Sequence, residues 1–288
     1  MAAVRGGQTF SKAIGVLRIL AEAENGLTFT DLMVASGQPK ATLHRLVQSM
    51  IEERLVRYDG EDRRYRLGYG FLELAGFAWS RLDIRVFSGD SLKTLSQSSG
   101  ESVFLEILDG DATIVVDAID NRRQTGIPAV PIGRRSPAYS SAAGKALLAA
   151  LDAASVEEIL GGVRFEGGSR HRPTSRGELS AQLALVRRQG FALEDTDDDG
   201  SCAIAAAIFD SRSRPAGAIG MLLPGTGRAH RSMAALTRML TATAAEITHN
   251  WGGRMSSSPS PTLHSSAPAV LELVDSEPSW LPEGDVPC

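Results

Sequence analysis

Residues 37–46 read Gly37-Gln38-Pro39-Lys40-Ala41-Thr42-Leu43-His44-Arg45-Leu46, a glycine-containing turn that runs into an amphipathic stretch. Pro39 suits the first turn of a helix, where its missing N–H has no intrahelical acceptor to lose. Leu43, Leu46, Val47 and Met50 recur at helical spacing and mark a buried face out to about Glu53. Upstream, Ala13, Ile14, Leu17, Ile19 and Leu20 form another apolar stripe, with Ser11 as the expected N-cap and an end near Glu24. Asn25-Gly26 breaks that helix. Thr28 or Thr30 can cap a short second one that turns Leu32, Met33 and Ala35 inward and stops at Gly37. Downstream, Leu55–Tyr58 and Arg63–Leu67 read as short strands joined by Asp59-Gly60-Glu61-Asp62. Helix, helix, turn, helix, hairpin is the order of a winged helix-turn-helix, whose third helix enters the DNA major groove.

On that third helix the outward positions near the start are Lys40, Thr42, His44 and Arg45. Arginine pairs in a bidentate way with guanine, threonine reaches a base edge or methyl, and lysine suits guanine or phosphate. Lys40, Thr42 and Arg45 are the expected base readers, with His44 beside them. Arg63 and Arg64 flank the hairpin turn and are expected to lie over the DNA backbone or minor groove, where positive charge is attracted whatever the sequence. The plainer alternative is a set of solvated charges on a small helical domain, since Glu52, Glu53, Glu61 and Asp62 are close by.

The whole chain has 288 residues, 43% of them apolar and 22% charged, enough for two ordinary domains. A net charge of −4 supplies no global attraction to nucleic acid, so DNA contact must come from a local patch. Cys202 and Cys288 alone exclude a disulfide framework or a cysteine-rich zinc site and fit a reducing compartment. No stretch approaches the roughly 18 apolar residues of a membrane helix, and no secretory leader opens the chain, so a cytoplasmic protein without membrane contact is expected.

Beyond the hairpin, Tyr69 to about Trp79 is an apolar helical stretch expected to link the domains and to contact a second copy, with the boundary near residues 80–83. A helix over residues 84–98 is followed by strands at Ser102–Leu108 and Thr113–Ala118 across the turn Asp109-Gly110-Asp111, and by a strand at Thr125–Ile132. Helices follow at Ala142–Leu151, Val156–Leu160 and Ser175–Gln189, strands at Ala203–Phe209 and Ala216–Leu223, and a last helix at Arg228–His249. Strands and helices so mixed, with hairpin turns between consecutive strands, argue for an α+β domain with a mainly antiparallel sheet. From Met255 the chain is Ser/Pro-rich and reads as a disordered tail. The expected division is 9–68, DNA binding; 69–82, linker helix; 83–252, second domain; and 253–288, tail.

Ser141-Ala142-Ala143-Gly144 ahead of an apolar helix places small side chains and backbone N–H groups at a helix N-terminus, which suits an anion. Tight packing of small residues is the plainer reading. Gly144-Lys145 lacks the leading Gly and following Ser/Thr of a phosphate loop, and the acidic run 194–200 lacks calcium-loop spacing and reads as a solvated loop. No nucleophile elbow, zinc-protease pair or dinucleotide fingerprint is present, and of the five scattered histidines only His171 and His230 remain as catalytic candidates, by default. An enzyme, or an adaptor that turns the winged shape against protein, are the competing classes.

Taken together the chain resembles the IclR family of bacterial transcription regulators over about residues 9–250. The resemblance rests on residues 37–46, on Arg64-Tyr65-Arg66-Leu67-Gly68, on the run from Ser140 to Ala149 and on Ile204 to Asp210. It implies a GAF-like effector domain, a DNA-binding homodimer often paired into a tetramer, a palindromic operator and control of catabolic genes, with no cofactor or metal. It also implies an effector site at Ser141, Ala142, Ala143 and Gly144, Glu194 or Asp195, Ser201, Ala203, Gly220 and Leu222. Members that take very small oxo acids commonly carry Cys at the position of Ala203 and Ser at those of Gly220 and Leu222. Without those anchors, the expected effector has a sizeable apolar or aromatic body and keeps its carboxylate for the helix N-terminus. Effector binding would then shift a two-state equilibrium in the spacing of paired reading helices.

Overall fold

Thr28 and Asp31 open the second helix of the chain with a reciprocal cap. The Asp31 N–H donates to Thr28 Oγ1 at 3.2 Å and the Thr28 N–H to Asp31 Oδ2 at 3.4 Å. The structure, a computed structural model, describes residues 7–79, 83–121, 130–165, 172–195, 201–224 and 232–254. The 255–288 tail, His171, His230, residues 196–200 and most of the strand expected at 125–132 lie outside the described residues. Two compact units result, Met1–Asp83 and Ile84–Cys288.

In the first unit α1 spans Gly7–Glu22, α2 Phe29–Ser36, α3 Lys40–Glu52 and α4 Gly70–Trp79. Ser11 is therefore not the N-cap of α1 but lies inside it. The exposed first turn buries nothing, so apolar periodicity gave no sign of it. Gly37 closes α2 at φ 61°, a left-handed value suited to glycine, and its N–H bonds Met33 O at 3.1 Å. Ala35 faces solvent, against expectation, because so short a helix buries only Leu32 fully. Pro39 stands at the N-cap of α3 rather than in its first turn, its carbonyl accepting the Leu43 N–H at 2.9 Å. Val16, Leu17, Leu20, Leu32, Leu43, Leu46, Val47, Met50 and Val56 form the core.

The wing is β1, Val56–Asp59, antiparallel to β2, Arg64–Leu67. Leu27 extends it by an antiparallel bridge to Tyr65, with N–H to O distances of 3.0 and 2.7 Å. Gly68 then passes close over the end of α3, its N–H bonded to Leu55 O at 2.8 Å. A Cβ on Gly68 would lie 2.8 Å from the Arg54 carbonyl carbon and nearer still to its oxygen, a backbone group that cannot swing aside. Gly68→Ala is expected to cost about 1–3 kcal/mol by overpacking. A lower urea midpoint with unchanged slope would show it, and an unchanged midpoint would refute it.

The second unit is built on a six-stranded sheet in the order β5-β4-β3-β8-β7-β6, every neighbour antiparallel. Its strands are β3 Ser102–Asp109, β4 Ala112–Ile119, β5 Arg135–Pro137, β6 Ala192–Asp195, β7 Cys202–Phe209 and β8 Pro215–Leu223. The central β7 and β8 read as almost unbroken apolar runs because helices cover both their faces. One face carries α6, Ala142–Ala149, with α7, Ala153–Leu160, and α8, Arg176–Gln189, joined in one apolar cluster with Ala203, Ala205, Ala218 and Leu222. The other carries α5, Asp83–Ser99, and α9, Met233–Asn250, where the Phe209 N–H bonds Thr248 Oγ1 at 3.1 Å and Phe87 stacks on Trp251 at 5.1 Å. This is the α+β, mainly antiparallel architecture read from the sequence. Strands β5 and β6 escaped that reading, being three and four residues long and set in polar surroundings. Residues 130–132, the described end of the strand expected at Thr125–Ile132, are not strand.

Candidate functional site

The outward face of α3 exposes Lys40, Ala41, His44, Arg45, Gln48 and Ser49, while Thr42 is half-buried at its edge. Gln48 and Ser49 follow His44 and Arg45 by one helical turn and belong to the same stripe, a continuation visible in the sequence but not drawn from it. The His44 ring meets Phe29 edge-on at 6.2 Å, Phe29 meets Tyr65 at 6.2 Å, and Tyr65 meets Tyr58 at 4.9 Å. This aromatic row fixes the hairpin against the reading helix.

The two hairpin arginines differ. Arg63 stands exposed at the tip with φ 57°, and its side chain has no hydrogen-bond partner among the described residues. Arg64 donates from NH1 to Gly26 O at 2.8 Å, because the Leu27–Tyr65 bridge brings the α1–α2 loop beneath it. Arg64 is thus a tie within the domain in this structure. Arg66 bonds Asp59 at 2.9 Å and pairs with Asp62, and that contact holds the Asp62 carboxyl below the usual carboxylate range. Asp59 and Asp62 of the turn are thus paired internally with Arg66, Glu61 stays exposed, and Arg57 and Arg63 are the outward cations of the wing. Arg57 lies over the Tyr69 ring at 5.5 Å.

In the second unit, α6 is buried along its whole length, Lys145 included at 2% exposure. Ser141 caps it by accepting the Gly144 N–H at 2.9 Å. A Cβ on Gly144 would come within 2.6 Å of the Ala138 carbonyl carbon and closer to other backbone atoms there, so the small residues do serve close packing. The Ala142 N–H donates to Glu194 Oε2 at 2.9 Å across a separation of 52 residues. The chain's own carboxylate therefore holds the position expected for an anion. Glu194 and Asp195 belong to β6 and not to a solvated loop; the Asp195 side chain lies outside the described residues.

Around that contact lies a polar cluster. Lys145 Nζ donates to Gln182 Oε1 at 3.3 Å, and the Thr113 and Ser141 hydroxyls are 3.2 Å apart. Glu106, 5% exposed, bonds Thr113, and its Oε2 is buried without a hydrogen-bond partner. Burial, reinforced by Glu194, pushes the Glu106 carboxyl up to about 7. Burial also raises Glu194, outweighing the Ala142 N–H and the charges of Lys145, Arg134 and Arg172. Glu106, Thr113 and Gln182 were given no role from the sequence, and Lys145 was weighed there only as part of an incomplete phosphate loop.

The strand positions expected at the site converge on it. Ala203 pairs with Glu194 on one side and Leu222 on the other, and Gly220 lies between Ala205 and Phe104. Ser201, Ala203 and Leu222 are buried. A Cβ on Gly220 would run into the Phe104 ring and come 2.8 Å from Ile204 O. Phe104 thus fills the space that Gly220 opens.

Glu106 gives this unit a specific pH dependence. Its folded value of about 7 lies above the usual 4.5, so its contribution is fully present below pH 4.5 and lost as pH rises through 7. Glu106→Gln is expected to be more stable than the parent at pH 8, by at most about 3 kcal/mol, with the gap closing toward pH 4.5. Urea midpoints from pH 5 to 8 test this, and a constant gap would contradict it.

A winged helix-turn-helix with a basic reading face, carried in one chain with an α+β domain, defines a DNA-binding transcription regulator. Residues 9–60 match the IclR helix-turn-helix domain and residues 76–249 the C-terminal domain of bacterial transcriptional regulator IclR; the chain belongs to the IclR family. It is 33% identical over 200 residues to the transcriptional regulator KdgR of Dickeya chrysanthemi, covering 69% of this chain and 65% of KdgR. It is 29% identical over 215 residues to the regulator XynR of Escherichia coli, covering 74% of this chain and 85% of XynR. An IclR homologue from Microbacterium hydrocarbonoxydans, solved with 4-hydroxybenzoate, shares the fold at TM-score 0.68 and 21% identity, over 84% of this chain and 98% of its own. These relatives are regulators, and this chain is a regulator rather than an enzyme. Among the described residues no helix is long and apolar enough to cross a membrane.

Proposed function

We propose that this regulator reads a palindromic operator as a homodimer or dimer of dimers, in the cytoplasm, and that a small organic acid held beside α6 resets its operator affinity. One observation carries the DNA half: Lys40, His44 and Arg45 stand exposed together on α3, while Asp59 and Asp62 of the wing are paired with Arg66. Thr42 borders that face, and Arg63 supplies a positioning contact. The effector half is supported by the polar cluster at the α6 N-terminus, enclosed by Phe104, Ala203, Ala205 and Leu222. The 4-hydroxybenzoate bound by the Microbacterium relative fits the same chemistry, a carboxyl group on an apolar body. Since Phe104 fills the space over Gly220, such a body must stack on that ring or displace it.

Effector control requires different affinities for two states of the regulator, and a coupling of about 1–3 kcal/mol changes operator affinity roughly 5- to 150-fold. Fluorescence anisotropy against the chain's own upstream DNA and a random duplex, over a salt series and with a panel of aromatic acids, tests both halves. Selective, salt-steepened binding that the acids weaken or strengthen is expected. Equal affinity for the two duplexes overturns the operator reading. Selective binding that is indifferent to acids bound by calorimetry overturns the effector reading, and glyoxylate binding above every aromatic acid removes the apolar body.

A further inference from the structure

Glu106 and Phe104 pair with Ala218 and Gly220 of β8, two positions apart, so both side chains stand on the sheet face that carries α6. From there Glu106 is joined through Thr113 to Ser141, the cap of α6, whose next residue gives its N–H to Glu194. Two carboxylates thus converge on one helix N-terminus. One of them, Glu106, is 5% exposed and keeps a buried Oε2 with no hydrogen-bond partner. A buried acceptor left open costs its desolvation in full, so it marks a place where a donor is missing. Near Glu194 a buried donor is open too, the Nε of Arg172, whose guanidinium lies 6.0 Å from the centre of the Tyr139 ring.

We propose that this acidic floor admits an organic acid only together with a proton, so that the head group docks as a hydrogen-bond donor toward Glu106 Oε2. The inference rests on the effector reading above and deepens it. A neutral carboxyl has an O–H to give, which matches the open acceptor at Glu106 Oε2, and a C=O that can still receive. A bare carboxylate offers acceptors alone and would place a third negative charge against two.

The charged groups around Glu106 are Glu194 from β6 and Arg134 from the segment before β5; Ala218 of β8 adds none. Around Glu194 stand Lys145 of α6, Arg134 and Arg172. Arg134 is exposed and screened by water, and burial still raises both carboxyls above their usual range despite these cations. The proton is shared between the acid and Glu106, taken from solvent on binding and returned on release.

Two measurements on the full chain test this. In the first, carbon-13 NMR of glutamate-labelled protein without ligand follows the carboxyl resonance that disappears in Glu106→Gln. Titration near neutral pH is expected, and titration in the ordinary carboxylate range overturns the proposal. In the second, calorimetry with benzoate, 4-hydroxybenzoate and phenylacetate is run at pH 5.5, 7 and 8.5 in buffers of different ionisation enthalpy. Uptake approaching one proton is expected at pH 8.5, with affinity falling up to about tenfold per pH unit above neutrality. 4-Hydroxybenzyl alcohol should bind with little pH dependence, and Glu106→Gln should flatten the acids' profile. Acids that bind without proton uptake and equally at all three pH values overturn the proposal while leaving the effector reading intact. No acid binding even at pH 5.5 overturns both.

Discussion

Replacing Phe104 by alanine is expected to lower the stability of the second unit by about 3–5 kcal/mol, the range for removing a buried aromatic ring. The ring is 3% exposed, occupies the space over Gly220 and belongs to the cluster that binds α6 to the sheet. Little can collapse into the vacancy, since the backbone beneath it is held by ladders to both β3 and β7. Chemical unfolding followed by a probe in this unit measures the effect, and a loss below about 1 kcal/mol would show that the ring is not a core element. The vacated volume is apolar and is expected to stay dry and admit a benzene-sized group. Aromatic acids that bind the parent should therefore bind Phe104→Ala at least as well once its stability is restored. Gly220→Ala alone should destabilise by driving Cβ into the ring. Combined with Phe104→Ala it should cost less than the sum, with a coupling of about 0.5–3 kcal/mol. Additivity would place the ring elsewhere in solution.

Arg45→Ala should cost about 1–3 kcal/mol of operator affinity and relax preference at one position of each half-site, as removal of a bidentate base contact does. Its exposure on α3, one turn from Gln48 and Ser49, sets it at the centre of the reading stripe. Arg63→Ala should weaken all sequences alike and reduce the salt slope by about one, the mark of a phosphate contact. Arg64→Ala should act through stability, loosening the wing by removing its bond to Gly26 O. Binding to a library of half-site variants separates the three. Unchanged sequence preference in Arg45→Ala would exclude it as a base reader.

The contrast between Arg63 and Arg64 shows how legibility ran out. Both are arginines of one turn, and only the bridge from Leu27 to Tyr65 determines that one meets a carbonyl while its neighbour meets solvent. Residues from the two sides of α6 behave alike. Ser141 and Gly144 announce a helix start through their local chemistry, whereas Glu194 becomes the partner of Ala142 through the β6–β7 register, which no local pattern encodes. Phe104 read as one more apolar strand residue, and its role as the filler of Gly220 depends on the β3–β8 register.

Short-range preferences written along the chain were enough for the helix-turn-helix, most of its apolar stripes, the Thr28 and Gly37 caps of its second helix and the mixed character of the second domain. Those depend on neighbours three or four residues away, within reach of any single helix or hairpin. Long-range closure alone decided which charges are spent inside the protein and which remain for a ligand. A carboxyl's proton affinity and an arginine's freedom depend on burial and on partners tens of residues distant, brought together by the sheet.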